Sequence, residues 1–169
     1  MFYKKYLIFI VAMLAFNVNA ELKTEDINPA VTVVWNNPEN FRDVDASNGI
    51  KSKYLARVLD DFEKYFHEEL PKYLKANQNI KVTVYDIDLA GDVRPMLIQG
   101  TDVRLVTSLY PPMMDLEYVI TDEQGAVVKK TRKRLRDLAF DISSSAAMSG
   151  KALRHEKVML KRWFNKELM

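Results

Sequence analysis

The strongest constraint on this chain is a change of hydrophobic period along its length. Val31–Trp35 (VTVVW) places Val31, Val33 and Trp35 on one face at a two-residue repeat, the spacing of a half-buried strand. From about Ile50 to Leu70 the repeat becomes helical. Leu55, Val58, Leu59, Phe62, Tyr65, Phe66 and Leu70 recur at three- and four-residue spacings and make one apolar stripe. Ser47 or Asn48 is placed to cap that helix, and Pro71 to end it. Alternation then returns in Ile80–Leu89, Asp102–Tyr110, Met114–Thr121 and Ala126–Leu135, with Leu138, Phe140 and Ile142 continuing the pattern. Residues 151–168 read as a closing helix with Leu153, Leu160, Trp163, Phe164 and Leu168 available to pack. Strands gathered after one long helix predict an α+β fold. We expect a single, mostly antiparallel sheet, with a long helix after the first strand and a C-terminal helix, both on one face.

Within that frame several local features stand out. Phe41 and Val44 are the only large apolar residues of the Asn- and Asp-rich loop 39–49 and should pin it to the core. In Ile80–Leu89 the face that starts Ile80, Val82, Val84 continues into Asp86 and Asp88. Either a bulge near Val84–Asp86 resets the phase, or the strand end leaves the core. Asp122-Glu123-Gln124-Gly125 reads as a hairpin loop.

The first twenty residues have a different character. Met1–Lys5 is a short positive segment, Tyr6–Phe16 (YLIFIVAMLAF) is an 11-residue apolar run, and Val18 and Ala20 stand at −3 and −1 of a cut after Ala20. This is the pattern of a cleaved signal peptide over residues 1–20. The apolar run is too short for a helical span, which needs about 20 residues, so no transmembrane segment is expected. Residues 21–30 (ELKTEDINPA) read as a flexible lead-in, and 31–169 as one α+β domain. Removing Lys4 and Lys5 leaves 25 − 2 = 23 basic against 23 acidic residues. The formal +2 charge thus becomes zero and carries no information about a partner.

The chain has no cysteine. This excludes disulfides, a Cys nucleophile, a thiolate zinc site and an iron–sulfur cluster. His67-Glu68-Glu69 would need its second histidine where Pro71 stands, so the metalloprotease helix pattern fails. Common serine hydrolase signatures and glycine-rich phosphate loops are missing too. No cofactor is expected, and the balance is against an enzyme.

Two charged groups remain as candidates. Lys129, Lys130, Arg132, Lys133 and Arg134 could contact an anionic surface. If Ile120 and Val127 pair across the hairpin, however, Glu117 faces Lys130 and Asp115 faces Arg132, ordinary cross-strand ion pairing. A two-residue shift swaps in Arg132 and Arg134. Nucleic acid is not expected as a partner of an exported protein. The second group is a polar cluster of Asp43, Asp86, Asp88, Asp92 and Asp137. Converging carboxylates could hold Ca²⁺ or do acid–base work. Yet a calcium loop beginning at Asp86 would have Ala90 and Leu97 at ligand positions. Asp86 and Asp88 are therefore expected to act through local hydrogen bonds, with Arg94, Arg104 or Arg136 as charge partners. On that reading Asp88→Asn lowers the melting temperature.

Taken in order, Val31–Trp35 with Pro38, Phe41 and Asp43, then Asp86 with Asp88–Gly91, Asp102–Arg104, Tyr110–Pro112, Leu135–Asp137 with Phe140, and Leu153-Arg154 with Glu156-Lys157, Leu160 and Trp163-Phe164 resemble bacterial domain-of-unknown-function family 3016. The resemblance spans about residues 31–166. His155 stands where the family usually has an aromatic residue, and the basic density of 129–134 is not part of its pattern. The resemblance implies a small exported protein of Gram-negative bacteria, hence the periplasm, and no particular activity. Two functions are carried forward. One is a non-catalytic binding or envelope-assembly module, whose partner could be another envelope protein. The other is a carboxylate-based metal-dependent enzyme or Ca-binding protein.

Overall fold

A computed structural model describes residues 30–47, 49–96, 101–142 and 152–169. The expected leader, nearly all of the lead-in and the small-residue linker 143–150 lie outside the described residues. Four strands form the main sheet in the order β1-β2-β5-β6. They are β1 (Val31–Trp35), β2 (Asn79–Asp88), β5 (Met113–Thr121) and β6 (Val127–Arg136). β1 runs parallel to β2, and β2–β5 and β5–β6 are antiparallel. A parallel pair needs a crossover, and α1 (Lys51–Glu69) supplies it. A separate ribbon pairs β3 (Asp92–Met96) with β4 (Thr101–Leu105). α2 (Arg154–Glu167) closes the fold.

The helices cover one face of the sheet. Ile80, Val82 and Val84 of β2 and Leu116, Tyr118 and Ile120 of β5 are buried beneath them. Val58, Phe62, Tyr65 and Phe66 of α1 and Met159, Leu160, Trp163 and Phe164 of α2 fill the layer between. Phe164 is the hub where the helices meet. Its ring lies 6.2 Å from both Tyr65 and Phe66 and 5.5 Å from Tyr73. Burial pushes the Tyr65 phenol well above its ordinary value, and its hydroxyl donates to the Lys157 carbonyl at 3.0 Å, tying α1 to α2. Phe41 and Val44 are buried in the same core. None of the described helices is long and apolar enough to cross a membrane.

The phase change in β2 is a bulge. The β2–β5 register shifts between Val84 and Asp86, so Ile87 and Leu89 take over the core face and Asp86 and Asp88 turn to the other.

Three local expectations need correction. The strand expected over Asp102–Tyr110 ends at Leu105. Its partner β3 contains Pro95, which lacks a ladder donor, and a two-stranded ribbon tolerates it. Alternation does not continue past Arg136. Asp137 Oδ1 accepts from the Ala139 N–H at 3.2 Å in a turn that buries Phe140 and leaves Leu138 and Ile142 exposed. At the start of α1 the cap position is Ile50, with no side-chain cap bond.

Candidate functional site

The carboxylate candidates fall into three places. At the first, loop residue Asp43 bridges to the end of β2. Its N–H donates to the Ile87 carbonyl at 3.2 Å, and its own carbonyl accepts from Leu89 N–H at 3.1 Å. This fixes its side chain against β4, where Arg104 Nη1 and Nη2 each donate to one carboxylate oxygen at 2.9 Å. The same guanidinium reaches the carbonyls of Gly91 at 3.3 Å and Asp45 at 3.1 Å. Arg104 is only 15% exposed. Burial alone would lower its pKa, but the hydrogen bonds and charge of Asp43 outweigh that and raise it. The two-pronged geometry is the strong form of carboxylate recognition by arginine.

Beside it, Asp86 and Asp88 share Arg42. Asp86 accepts the Arg42 backbone N–H at 2.9 Å and pairs with its guanidinium at 3.2 Å, while Asp88 sits 3.6 Å from the same group. Burial raises the pKa of Asp88. Arg42 acts against this, Asp43 and Asp86 reinforce it, and Arg136 opposes it more weakly. The remaining two candidates lie elsewhere. Asp92 pairs with Arg94 across 3.0 Å on β3, and Asp137 pairs with Arg162 of α2 across 2.7 Å. Each candidate carboxylate thus meets an arginine. Among the described residues no group of three or more His, Asp or Glu is placed to hold a metal ion.

The corner around Asp43 also contains a carboxylate that pattern reading passed over. Glu156, 4% exposed, accepts the Ala90 N–H at 2.7 Å and so anchors the first turn of α2 to the end of β2. Its signal was a charged residue inside the apolar stripe Leu153, Leu160, Trp163. Next to this corner a cleft of about 580 Å³ is lined by Tyr54, Arg104, Val106, His155 and Glu156 among others. His155 packs edge-on to Phe140 at 4.9 Å and contacts Arg154 at 3.0 Å. Several residues that carry the family resemblance meet here.

The basic strand is the second candidate surface. The β5–β6 register is two residues from the Ile120–Val127 alignment: Val127 pairs with Thr121, one residue away, and a bulge between Ile120 and Thr121 adds the second, so that Ile120 pairs with Lys129. Glu117 therefore stands opposite Arg132, and Asp115 opposite Arg134. Diagonal contacts nevertheless bring Lys130 to Glu117 at 3.3 Å and Arg132 to Asp115 at 3.1 Å, while Arg134 reaches Asp115 at 3.2 Å. Asp115 is 5% exposed. Burial on its own would raise its pKa, but the hydrogen bonds from Arg132 and Arg134 hold it below the ordinary carboxylate value. Arg132 also lies over the Tyr85 ring at 4.1 Å. On the helix-covered face, Lys129 donates to the Glu167 carbonyl at 2.7 Å and Lys133 pairs with the Glu167 carboxylate at 3.1 Å. All five basic candidates thus have a partner within the chain. Lys130, Arg132 and Arg134 keep more than half of their side-chain surface in solvent.

Comparison with known proteins gives one match. The sequence model of a family described as a protein of unknown function (DUF3016) matches residues 29–166. No curated protein and no solved structure matches the chain.

Proposed function

We propose that this chain, which belongs to the DUF3016 family, is a non-catalytic binding or assembly module of the periplasm, exported through a leader cleaved after Ala20. The observation that carries the reading is the arginine on each candidate carboxylate. Asp43 has both oxygens engaged by Arg104, and Asp86 has both engaged by Arg42. A carboxylate in that state is neither a free base nor an open metal ligand, since either task requires breaking the pair. Surface chemistry supports the binding half of the proposal. The β3–β4 ribbon and the loop after it expose Val103, Leu105, Val106, Leu109 and Tyr110. A neighbouring group of exposed apolar side chains with charged residues at its margin is the usual dress of a protein contact. The short apolar run with Ala20 at −1 supports the address.

Photo-crosslinking in intact cells tests this reading. A crosslinking residue at Leu109 should yield a discrete adduct in the periplasmic fraction, and one at exposed Glu39 should not. The mature mass should begin at Glu21. A cytosolic protein with Met1 intact, or equal and diffuse crosslinking from both positions, overturns the proposal.

A further inference from the structure

We propose that the open edge of β1 pairs with the β1 edge of a second copy of this chain, joining two four-stranded sheets into one. The proposal stands apart from the binding-module reading, which rests on the β3–β4 ribbon. β1 lies at the end of the main sheet and pairs with β2 alone among the described strands. Two bonds bracket this parallel ladder. Ile80 N–H donates to the Ala30 carbonyl at 2.7 Å, and Asn36 N–H donates to the Val84 carbonyl at 2.9 Å. Peptide groups alternate in direction along a strand, so residues 30, 32, 34 and 36 serve β2. Val31, Val33 and Trp35 turn their N–H and C=O groups outward, where they meet no partner among the described residues. Val31 is buried, but Thr32 is exposed and Val33, Val34 and Trp35 are half-buried. The accessible edge is therefore 32–35.

This edge is unguarded. Sheet edges are usually blunted by charge, proline or a bulge. The opposite edge, β6, carries six basic residues between Lys129 and Arg136, and β3 of the ribbon carries Pro95. β1 reads Val-Thr-Val-Val-Trp, with neither charge nor proline, and its register with β2 runs without a break.

A second copy fits because the edge is its own complement. Antiparallel pairing about a two-fold axis at Val34 sets Val33 opposite Trp35 of the second copy, and Trp35 opposite Val33 of the second copy. Each of these pairs exchanges two N–H···O bonds, so every outward group of the accessible edge is used. On the helix-covered face Trp35 then lies beside Val33 of the second copy, an aromatic–β-branched pair of the kind that stabilises sheets. On the open face the two Val34 side chains meet across the axis. No charged side chain of either strand opposes the match. A two-fold contact of this sort closes on itself and does not propagate into a fibre.

The chain has no cysteine, so one introduced thiol reads the register. Residues directly opposite in a non-hydrogen-bonded pair have Cα atoms about 4.5 Å apart, within disulfide reach. Two copies of residue 32 would stand about 13 Å apart, beyond it. In the mature protein Val34→Cys should therefore oxidise to a covalent dimer at least tenfold faster than Thr32→Cys. Sedimentation equilibrium of the cysteine-free protein should show a reversible dimer, half-formed by about 100 µM, the weak association of a small interface. Val34→Lys sets like charges opposite each other and should weaken that dimer at least tenfold, while the dilute monomer still melts cooperatively. Lys81→Gln, an exposed lysine on β2, should leave the dimer unchanged. A protein that stays monomeric at that concentration, equal crosslinking from residues 32 and 34, or a dimer indifferent to Val34→Lys would each overturn the proposal.

Discussion

Arg104 is the residue whose removal should reveal most about how the carboxylate corner is built. Arg104→Met deletes two hydrogen bonds to Asp43 and two to the Gly91 and Asp45 carbonyls. It leaves the Asp43 carboxylate facing an apolar side chain. Breaking a fully buried ion pair from one side costs about 3–5 kcal/mol. Here the partners are 15% and 22% exposed, so water reaches part of what is left, and we expect about 2–3 kcal/mol. For a chain of this size that is a fall of about 5–10 °C in melting temperature. Urea denaturation of Arg104→Met, Asp43→Asn and the double variant gives a coupling energy, expected at about 1.5–3 kcal/mol. Arg104→Lys keeps the charge without the planar fork and should recover less than half of the loss. A coupling below about 0.5 kcal/mol, the ordinary additivity error, would refute the claim that this pair fastens the β3–β4 ribbon to β2.

Further expectations follow from neighbouring parts of the structure. Gly91 has φ +88°, and an added Cβ would lie 2.6 Å from the Leu105 carbonyl oxygen; Gly91→Ala should cost at least about 2 kcal/mol in the same denaturation assay, combining left-handed strain with a backbone clash. Asp115 has its folded pKa depressed by Arg132 and Arg134, so its contribution is complete above the unfolded value near 3.9 and is lost as pH falls through the folded one. Asp115→Asn should therefore be less stable than the parent at pH 7 and converge with it in melts below about pH 4. Lys130→Glu with Arg132→Glu should lower the melting temperature modestly and leave retention on a heparin column unchanged, because these cations answer Glu117 and Asp115; a steep, salt-dependent loss of retention would show a polyanion surface instead.

Much of the fold was legible because hydrophobic period reports burial directly. β1, α1, β5, β6 and α2 all emerge at their observed places, and even the β2 bulge was visible as a phase error at Asp86. β3 was not, since Val93-Arg94-Pro95-Met96 carries neither alternation nor free donors at each position. The ion pairs were partly legible. Neighbours on a hairpin follow from pairing arithmetic, and Lys130–Glu117 and Arg132–Asp115 were found that way. Val127 pairs with Thr121 rather than Ile120 and a bulge between those two residues adds a second residue of displacement, yet long side chains reach diagonally and keep those pairs. Arg42 and Asp43 were opaque for a different reason. Adjacent in sequence on an irregular loop, they point to different partners, Arg42 to Asp86 and Asp88, and Asp43 to Arg104. Only the bridge between Asp43 and Asp88 determines that geometry. Glu156 needed the opposite inference, that a charge inside an apolar stripe is buried for a bond.

The central claim is that the Asp43 and Asp86 carboxylates serve the fold through arginines, and that neither they nor Asp88 beside them holds a metal or carries out a reaction. Thermal melts of the mature protein at pH 7, in EDTA and in millimolar Ca²⁺, test it most directly. The account predicts coincident melts. It also predicts that Asp88→Asn melts no lower than the parent, the reverse of what a purely hydrogen-bonded role implies. Burial places the folded pKa of Asp88 above its unfolded value, so its favourable contribution belongs to the protonated form, is complete below the unfolded pKa and is lost as pH rises through the folded one. A ligand that binds only the folded state at a hundredfold excess over its Kd stabilises it by about 2.7 kcal/mol. A Ca²⁺-induced rise of about 5 °C or more that vanishes in Asp88→Asn would therefore contradict the account and make the corner a metal site.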